Sequence, residues 1–237
     1  MVLALMMLGL AAGALTTLAG MGGGVMLVLT LSLVIGPKAA LVATAPALLF
    51  GNAHRLWLFR RDVDRRVGVP FVAGALPGSL VGGFLLPHLP TVAISWMMVG
   101  LTALGLAKVL KLVAWTPPRT LIAPASFVVG GLSATAGGAG VLAAPVLMAS
   151  GLTGAAYVAT GAAGAIAMHA GRILSYGVSG LLTRETALTA GILTATILAG
   201  NLVGKHLRAR LGDLVSGRIE IATLVASVGL AIVGAGR

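Results

Sequence analysis

Long apolar stretches separated by short polar segments dominate this chain. The first stretch, 1–35, contains no charged residue. It is too long for one membrane-spanning helix and too short for two, since about 20 apolar residues cross a hydrocarbon core of ~30 Å. Four glycines interrupt its middle, at Gly20, Gly22, Gly23 and Gly24, and each costs a helix interior about 1 kcal/mol relative to alanine. The pattern predicts two half-helices, Val2 to Thr17 and Gly24 to Ile35, that meet at a glycine turn inside the membrane.

Three longer helices are predicted in the rest of this half. They are placed at Ala39 to Phe59, Val67 to Leu86 and Val92 to Val109. Charged or proline-containing segments separate them, and prolines near the middle of the chain end one helix and begin another. The chain is therefore divided into a first membrane repeat at 1–112, a linker at 113–119 and a second membrane repeat at 120–237.

The second half repeats the motifs of the first half in the same order. The corresponding segments are Gly22 to Val25 with Gly138 to Val141, Val42 to Thr44 with Val158 to Thr160, Asn52 to Arg55 with His169 to Arg172, and Gly78 to Gly82 with Gly200 to Gly204. This order indicates an internal duplication. Each repeat then consists of a broken, re-entrant helix pair followed by three transmembrane helices, which predicts an all-α integral membrane protein.

The basic residues bear on how the two repeats are oriented, because cytoplasmic loops collect Lys and Arg. If the broken segments re-enter, each repeat crosses the membrane three times and the second copy is inverted. Eleven basic residues then lie on the cytoplasmic side and three on the other, with Arg55 and Arg172 inside the bundle. If the broken segments cross fully and the copies are parallel, the distribution is nine against five. The sequence favours two inverted repeats.

Composition supports a membrane protein, since 58% of the residues are hydrophobic and only 9% are charged. A net charge of +11 would suggest nucleic acid as the partner of a soluble protein. Here the basic residues cluster in short loops between apolar segments, so the lipid bilayer, and no nucleic acid, is the expected partner. The chain has no cysteine, which excludes disulfides and cysteine-ligated metals.

Polar side chains inside the predicted spans are the first candidates for chemistry. An Arg or Lys at a helix centre costs about 2.5 to 3.5 kcal/mol on insertion, so each marks a functional hypothesis. Asn52 and Arg55 lie three positions apart and share one helix face, as do His169 and Arg172. If a two-fold axis in the membrane plane relates the repeats, both faces line one cationic cavity. The alternatives are arginines that extend to the membrane surface, and histidines, His54 and His169, that belong to the core.

The glycine breaks supply a second candidate element. The half-helices that begin near Gly24 and Gly140 present unpaired N–H groups and the positive end of a helix dipole, which together bind anions. The predicted substrate-binding glycines are Gly22, Gly23, Gly24, Gly138 and Gly140. The alternative is that these glycines only allow helices to pack closely.

Carboxylates are informative through their positions. They fall in predicted loops, except for Glu220, which lies near the start of the last span. A cation carrier or a carboxylate proton relay would need an acid in mid-membrane. If protons are coupled to transport, His54 or His169 is the expected carrier, because histidine titrates near physiological pH. Uniport driven by the membrane potential needs no coupling residue and is equally allowed.

Two paired motifs resemble the sulfite exporter TauE/SafE family of bacterial membrane permeases. They are the glycine-rich element Gly20 to Gly24 with its degenerate copy Gly137 to Leu147, and the pairs Ala43-Thr44 and Ala159-Thr160 in the next helix of each half. The sequence departs from the family pattern at Leu29, where the family often has a proline, and at Ala139, which replaces a glycine. The resemblance covers essentially the whole chain. It implies a multi-pass protein of the bacterial inner membrane that transports small sulfur-containing or organic anions.

These observations predict an alternating-access secondary transporter. It is expected to export a small anionic substrate such as sulfite, sulfoacetate or another sulfonate, with no cofactor and no metal. An anion channel and a non-transporting membrane scaffold are the alternatives. An enzyme is not expected, because neither His54 nor His169 lies in the context that an intramembrane protease or an HExxH zinc site requires.

Overall fold

The computed structural model describes residues 2–19, 22–110, 112 and 118–236. Nine α-helices and three short 3-10 turns make up nearly all of this described part, which contains no strand. The helices are α1 Val2–Ala19, α2 Gly23–Ile35, α3 Pro37–Leu58, α4 Arg65–Leu85, α5 Thr91–Val109, α6 Ile122–Ala136, α7 Ala139–Ala149, α8 Gly154–Val178 and α9 Arg184–Ala235. Each half of the chain therefore opens with two short helices.

Both predicted helix breaks are confirmed. Gly22, between α1 and α2, has φ 94°, and Gly137 and Gly138, between α6 and α7, have φ 77° and 74°. Residues with a Cβ rarely adopt positive φ, so glycine is needed where the chain turns out of one helix into the next. Gly20 and Met21 lie outside the described residues.

The predicted helix bounds of the first half agree with the structure to within two residues. α4 begins at Arg65 rather than Val67, because the Asp64 carboxylate caps this helix. It accepts hydrogen bonds from the backbone N–H groups of Arg66 and Val67 at 2.8 and 3.3 Å. The predicted linker at 113–119 lies largely outside the described residues, and the division into 1–112 and 120–237 stays a prediction.

The longest helix, α9, consists of two segments. Gly212 has φ 72° and ψ 174°, which interrupts the helix and separates a first segment, Arg184–Gly212, from a second segment, Val215–Ala235. Together with α4 and α5, these are the 4 described helices that are long and apolar enough to cross a membrane. The helices α1, α2, α6 and α7 are apolar but shorter.

The helices α3 and α8 lie at the centre of the bundle. They pack against each other, α3 also packs against α9, and α8 also packs against α4. Close approach is possible because glycines of α8 meet side chains of α4: a Cβ at Gly164 would collide with the ring of Phe71, and one at Gly171 with the hydroxyl of Ser79. Helices enclosed in this way can carry polar side chains within the membrane.

The outer helices pair across the two halves of the chain. A Cβ at Gly74 or Gly78 of α4 would collide with the backbone carbonyl of Ala123 or Phe127 of α6, so α4 and α6 run in the same direction. The same holds for α1 and the first segment of α9. A Cβ at Gly13 of α1 would collide with the backbone of Ile197 of α9. A Cβ at Gly200 or Gly204 of α9 would collide with the backbone of Leu10 or Ala14 of α1. These two helices also run in the same direction.

The central helices run in opposite directions. Leu41, near the start of α3, contacts Arg172, near the end of α8. Arg55, near the end of α3, lines a small cavity together with Val158, near the start of α8. The helices α3 and α8 are therefore antiparallel to each other.

Candidate functional site

A small cavity of about 40 Å³ lies where the two helix breaks meet α3 and α8. Eight of the ten residues predicted for binding or proton coupling line this cavity: Gly22, Gly24, Asn52, Arg55, Gly138, Gly140, His169 and Arg172. The remaining lining residues are Thr16, Val25, Val28, Leu48, Ala139 and Ala165. The structure thus brings the two polar helix faces and the two glycine breaks to one place.

Two predicted residues lie elsewhere. Gly23 faces α1, where a Cβ would collide with the carbonyl of Ala12 and the side chain of Thr16, so this glycine allows close packing of the half-helices. His54 is half-buried and stacks on Trp57 with 6.1 Å between ring centroids. Because consecutive helix residues point in different directions, His54 is turned away from the cavity that its neighbour Arg55 lines.

Arg55 is held inside the bundle by hydrogen bonds at the end of α3. It is 5% exposed, and its guanidinium donates to the Asn52 side-chain oxygen at 2.6 Å and to the Thr16 carbonyl at 3.1 Å. Asn52 in turn donates to the Leu48 carbonyl at 2.7 Å. This burial argues against an arginine that extends to the membrane surface.

Arg172 is buried still more deeply, at 1% exposed. Its guanidinium donates to the Leu41 carbonyl at 2.7 Å, to His169 Nδ1 at 3.2 Å and to the Tyr176 hydroxyl at 3.3 Å. Since arginine has no acceptor, His169 Nδ1 accepts this bond, and in the neutral ring the proton is on Nε2. Arg172 therefore links both central helices at the cavity.

The N-termini of α2 and α7 adjoin the same cavity. The first backbone hydrogen bonds of these helices run from Met26 to Gly22 and from Leu142 to Gly138, and neither helix has a side-chain N-cap bond. The preceding N–H groups of each first turn are therefore not used within the helix. They add positive partial charge beside the two guanidinium groups.

The C-termini of α1 and α6, which precede the two breaks, receive hydrogen bonds from side-chain donors. In the last turns of α1, the Thr16 carbonyl accepts a hydrogen bond from Arg55, and the Leu18 carbonyl accepts one from Arg208 at 3.3 Å. The Ala134 carbonyl in the last turn of α6 accepts from the Tyr176 hydroxyl. Helix C-termini carry negative partial charge, so cationic or hydroxyl donors are favourable there.

The charges around the cavity have one sign. The described residues that line it include Arg55 and Arg172 but neither Asp nor Glu. Within the described part of the chain, no group of three or more His, Cys, Asp or Glu side chains is arranged to hold a metal ion. Two guanidiniums, two helix N-termini and one imidazole can together bind an oxyanion.

Sequence reasoning missed several residues that shape the site. Thr16 supplies a carbonyl to Arg55, and Tyr176 supplies a hydroxyl to Arg172. The only available signal for Tyr176 was its position four residues after Arg172, which places both on one helix face. Nothing local marked Thr16, because its contact with Arg55 joins α1 to α3.

Comparison with known proteins identifies the family. A family model described as sulfite exporter TauE/SafE matches residues 5–233. No curated protein and no solved structure matches the chain significantly. The family consists of membrane transporters of sulfite-type anions rather than enzymes, and its multi-pass membrane character agrees with the apolar helices described above. The match covers nearly the whole chain, and this protein therefore belongs to the sulfite exporter TauE/SafE family.

Proposed function

We propose that this protein is a secondary transporter that exports a small sulfur-containing or organic anion by alternating access. The observation that carries the proposal is the convergence of Arg55, Arg172 and the N-termini of α2 and α7 on one cavity. Burying a cation in a membrane protein is costly, so two guanidiniums at one place favour a function over a packing role. An anion in the cavity would offset their charge.

The size of the cavity indicates which anions fit this conformation. One water molecule needs about 10 to 15 Å³ of such space, so the volume of about 40 Å³ suits a few water molecules or one small oxyanion. Sulfite is of this size class. Sulfoacetate and larger sulfonates would require the surrounding helices to move apart, and we expect them to be transported less well.

We also propose that the two halves form inverted repeats. The antiparallel arrangement of α3 and α8 supports this, as do the reciprocal pairs α1 with α9 and α6 with α4. The distribution of basic residues then places the loop after α3 in the cytoplasm and the loop before α9 outside. In such transporters one repeat moves against the other around a fixed site.

The residues that line the cavity also bear on whether transport is coupled to protons. His169 lines the cavity whereas His54 does not, so proton coupling, if present, is proposed to run through His169. A uniporter driven by the inside-negative potential remains an alternative mechanism for an anion. An anion channel would require a continuous aqueous path, whereas the cavity at Arg55 and its two neighbours are small, at about 40, 10 and 10 Å³. This favours a carrier.

The proposal is tested by flux assays in proteoliposomes with sulfite, sulfoacetate and chloride. Arg172→Ala should lower sulfite flux at least about tenfold, because a charged hydrogen-bond donor to an anion contributes about 1.5 to 3 kcal/mol. Arg61→Ala, at an exposed position, is the matched control and should retain flux. Wild-type flux no greater than that of empty liposomes would favour a non-transporting scaffold.

A further inference from the structure

Tyr176 is a buried polar residue to which the family assignment gives no role. Its side chain is fully buried, and its hydroxyl accepts a hydrogen bond from Arg172 Nε at 3.3 Å while donating to the Ala134 carbonyl. The Arg172 guanidinium carbon also lies 5.7 Å from the centre of the tyrosine ring. Tyr176 thus contacts the arginine by both its hydroxyl and its ring face.

The acceptor of the Tyr176 hydroxyl lies at the end of a broken helix. Ala134 is in the last turn of α6, directly before the break at Gly137 and Gly138. Carbonyls in the last turn of a helix lack partners within the helix. The chain of contacts from Ala134 through Tyr176 and Arg172 to Leu41 therefore joins α6, α8 and α3 beside the cavity.

The arginine of the first half also reaches a carbonyl near the end of a broken helix. Arg55 donates directly to the Thr16 carbonyl of α1. The residue four positions after Arg55 is Phe59, whereas the residue four positions after Arg172 is Tyr176. An aromatic ring recurs at both positions, and of these two residues Tyr176 carries a hydroxyl.

We propose that Tyr176 is a positioning residue, which fixes the Arg172 guanidinium at the cavity and couples it to the end of the broken helix α6. The proposal rests on the proposed function, since it assigns Arg172 to anion binding. With Nε held by Tyr176, and with one donor each to His169 and Leu41, the orientation of the guanidinium plane is set. The guanidinium N–H groups that remain are then already oriented towards the cavity, so anion binding costs less side-chain conformational entropy.

The test is Tyr176→Phe in proteoliposomes, with the KM and kcat of sulfite flux measured separately. Loss of the hydroxyl leaves Arg172 in place but less well oriented, so KM should rise about tenfold with a smaller change in kcat. The matched control is Ser175→Ala, because the buried Ser175 hydroxyl donates to carbonyls of its own helix, at Gly171 and Arg172. This control should retain the wild-type KM.

A double-mutant cycle separates positioning from a general structural role. If Tyr176 acts through Arg172, Tyr176→Phe should change KM little in the Arg172→Lys background, because lysine has no Nε–H donor to be oriented. An unchanged KM in Tyr176→Phe, or an equal effect in both backgrounds, would overturn the inference. Absence of flux of sulfite and of every other anion tested in the wild-type protein would instead overturn the proposed function.

A second measurement needs no variant. Hydrogen–deuterium exchange of the wild-type protein with and without sulfite should show altered exchange over 130–136, the end of α6, which contributes no residue to the cavity lining, since anion binding at Arg172 is coupled to Ala134. Exchange over α5, which contributes no residue to the cavity lining, should stay the same. Sulfite binding with no change over 130–136 would contradict the coupling.

Discussion

Arg172 donates a 2.7 Å hydrogen bond to the backbone carbonyl of Leu41, and this bond joins a cation of the second half of the chain to the backbone of the first. Both residues are buried. In a transporter whose halves move relative to each other, a bond of this kind must be kept or exchanged during the cycle. An anion that binds Arg172 is therefore in a position to influence how the halves contact each other.

Single-cysteine labelling can test the orientation of the repeats. The chain contains no cysteine, so a cysteine introduced at either of two exposed positions, Arg61→Cys after α3 or Arg184→Cys at the start of α9, is the only reactive thiol. With inverted repeats these positions lie on opposite sides of the membrane. A membrane-impermeant maleimide added to intact cells should label Cys at position 184 and should label position 61 only after lysis.

Parallel repeats predict the same behaviour at both positions in that experiment. Both positions would then lie in the cytoplasm, and both would be labelled only after lysis. Labelling of neither variant in intact cells, with a periplasmic control protein labelled, would therefore exclude the inverted arrangement.

The cavity volume predicts how substrate size affects flux. Leu48 lines the cavity, so Leu48→Ala enlarges it and should raise the flux of sulfoacetate relative to sulfite by about tenfold. Leu31 is equally apolar and buried but does not line the cavity. The control Leu31→Ala should lose stability in the same way without a change in the flux ratio. If the ratio of sulfoacetate flux to sulfite flux changed equally in both variants, the cause would be destabilisation rather than cavity size.

Proton coupling can be assigned by comparing the two candidate histidines. His169 lines the cavity and accepts from Arg172, whereas His54 stacks on Trp57 outside it. If an imposed pH gradient stimulates sulfite flux, His169→Asn should abolish the stimulation and His54→Asn should retain it. The measurement is the ratio of initial rates with and without the gradient. Stimulation that survives in both variants would mean that neither histidine carries the proton.

The glycine break of the second half makes a prediction about stability. Gly138 has φ 74°, and a Cβ there would have no atom closer than 4.0 Å. Gly138→Ala should therefore cost about 1 to 2 kcal/mol through backbone strain alone, which lowers Tm by about 2 to 8 °C. The control Gly191→Ala lies inside a helix with open space around it and should keep or raise Tm. Equal Tm values for Gly138→Ala and wild type would contradict this account of the break.

Much of the fold could be predicted from local patterns in the chain. Apolar runs fixed the helix bounds of the first half to within two residues, and the glycine clusters located both breaks. These features depend on nearby residues, because hydropathy and positive φ are properties of short segments. The spacing of Asn52 with Arg55, and of His169 with Arg172, also placed each pair on one helix face.

By itself, then, the sequence determined that the chain is a helical membrane protein with two glycine breaks and two arginines within its helices. Only the tertiary structure decided that Gly24 lines the cavity while Gly23 packs on α1, that His54 is turned away, and that Tyr176 connects Arg172 to Ala134. The reason is physical. The direction in which a helix face points, and the carbonyl that a buried donor reaches, depend on helices distant in sequence that pack around it, and no local pattern encodes that contact.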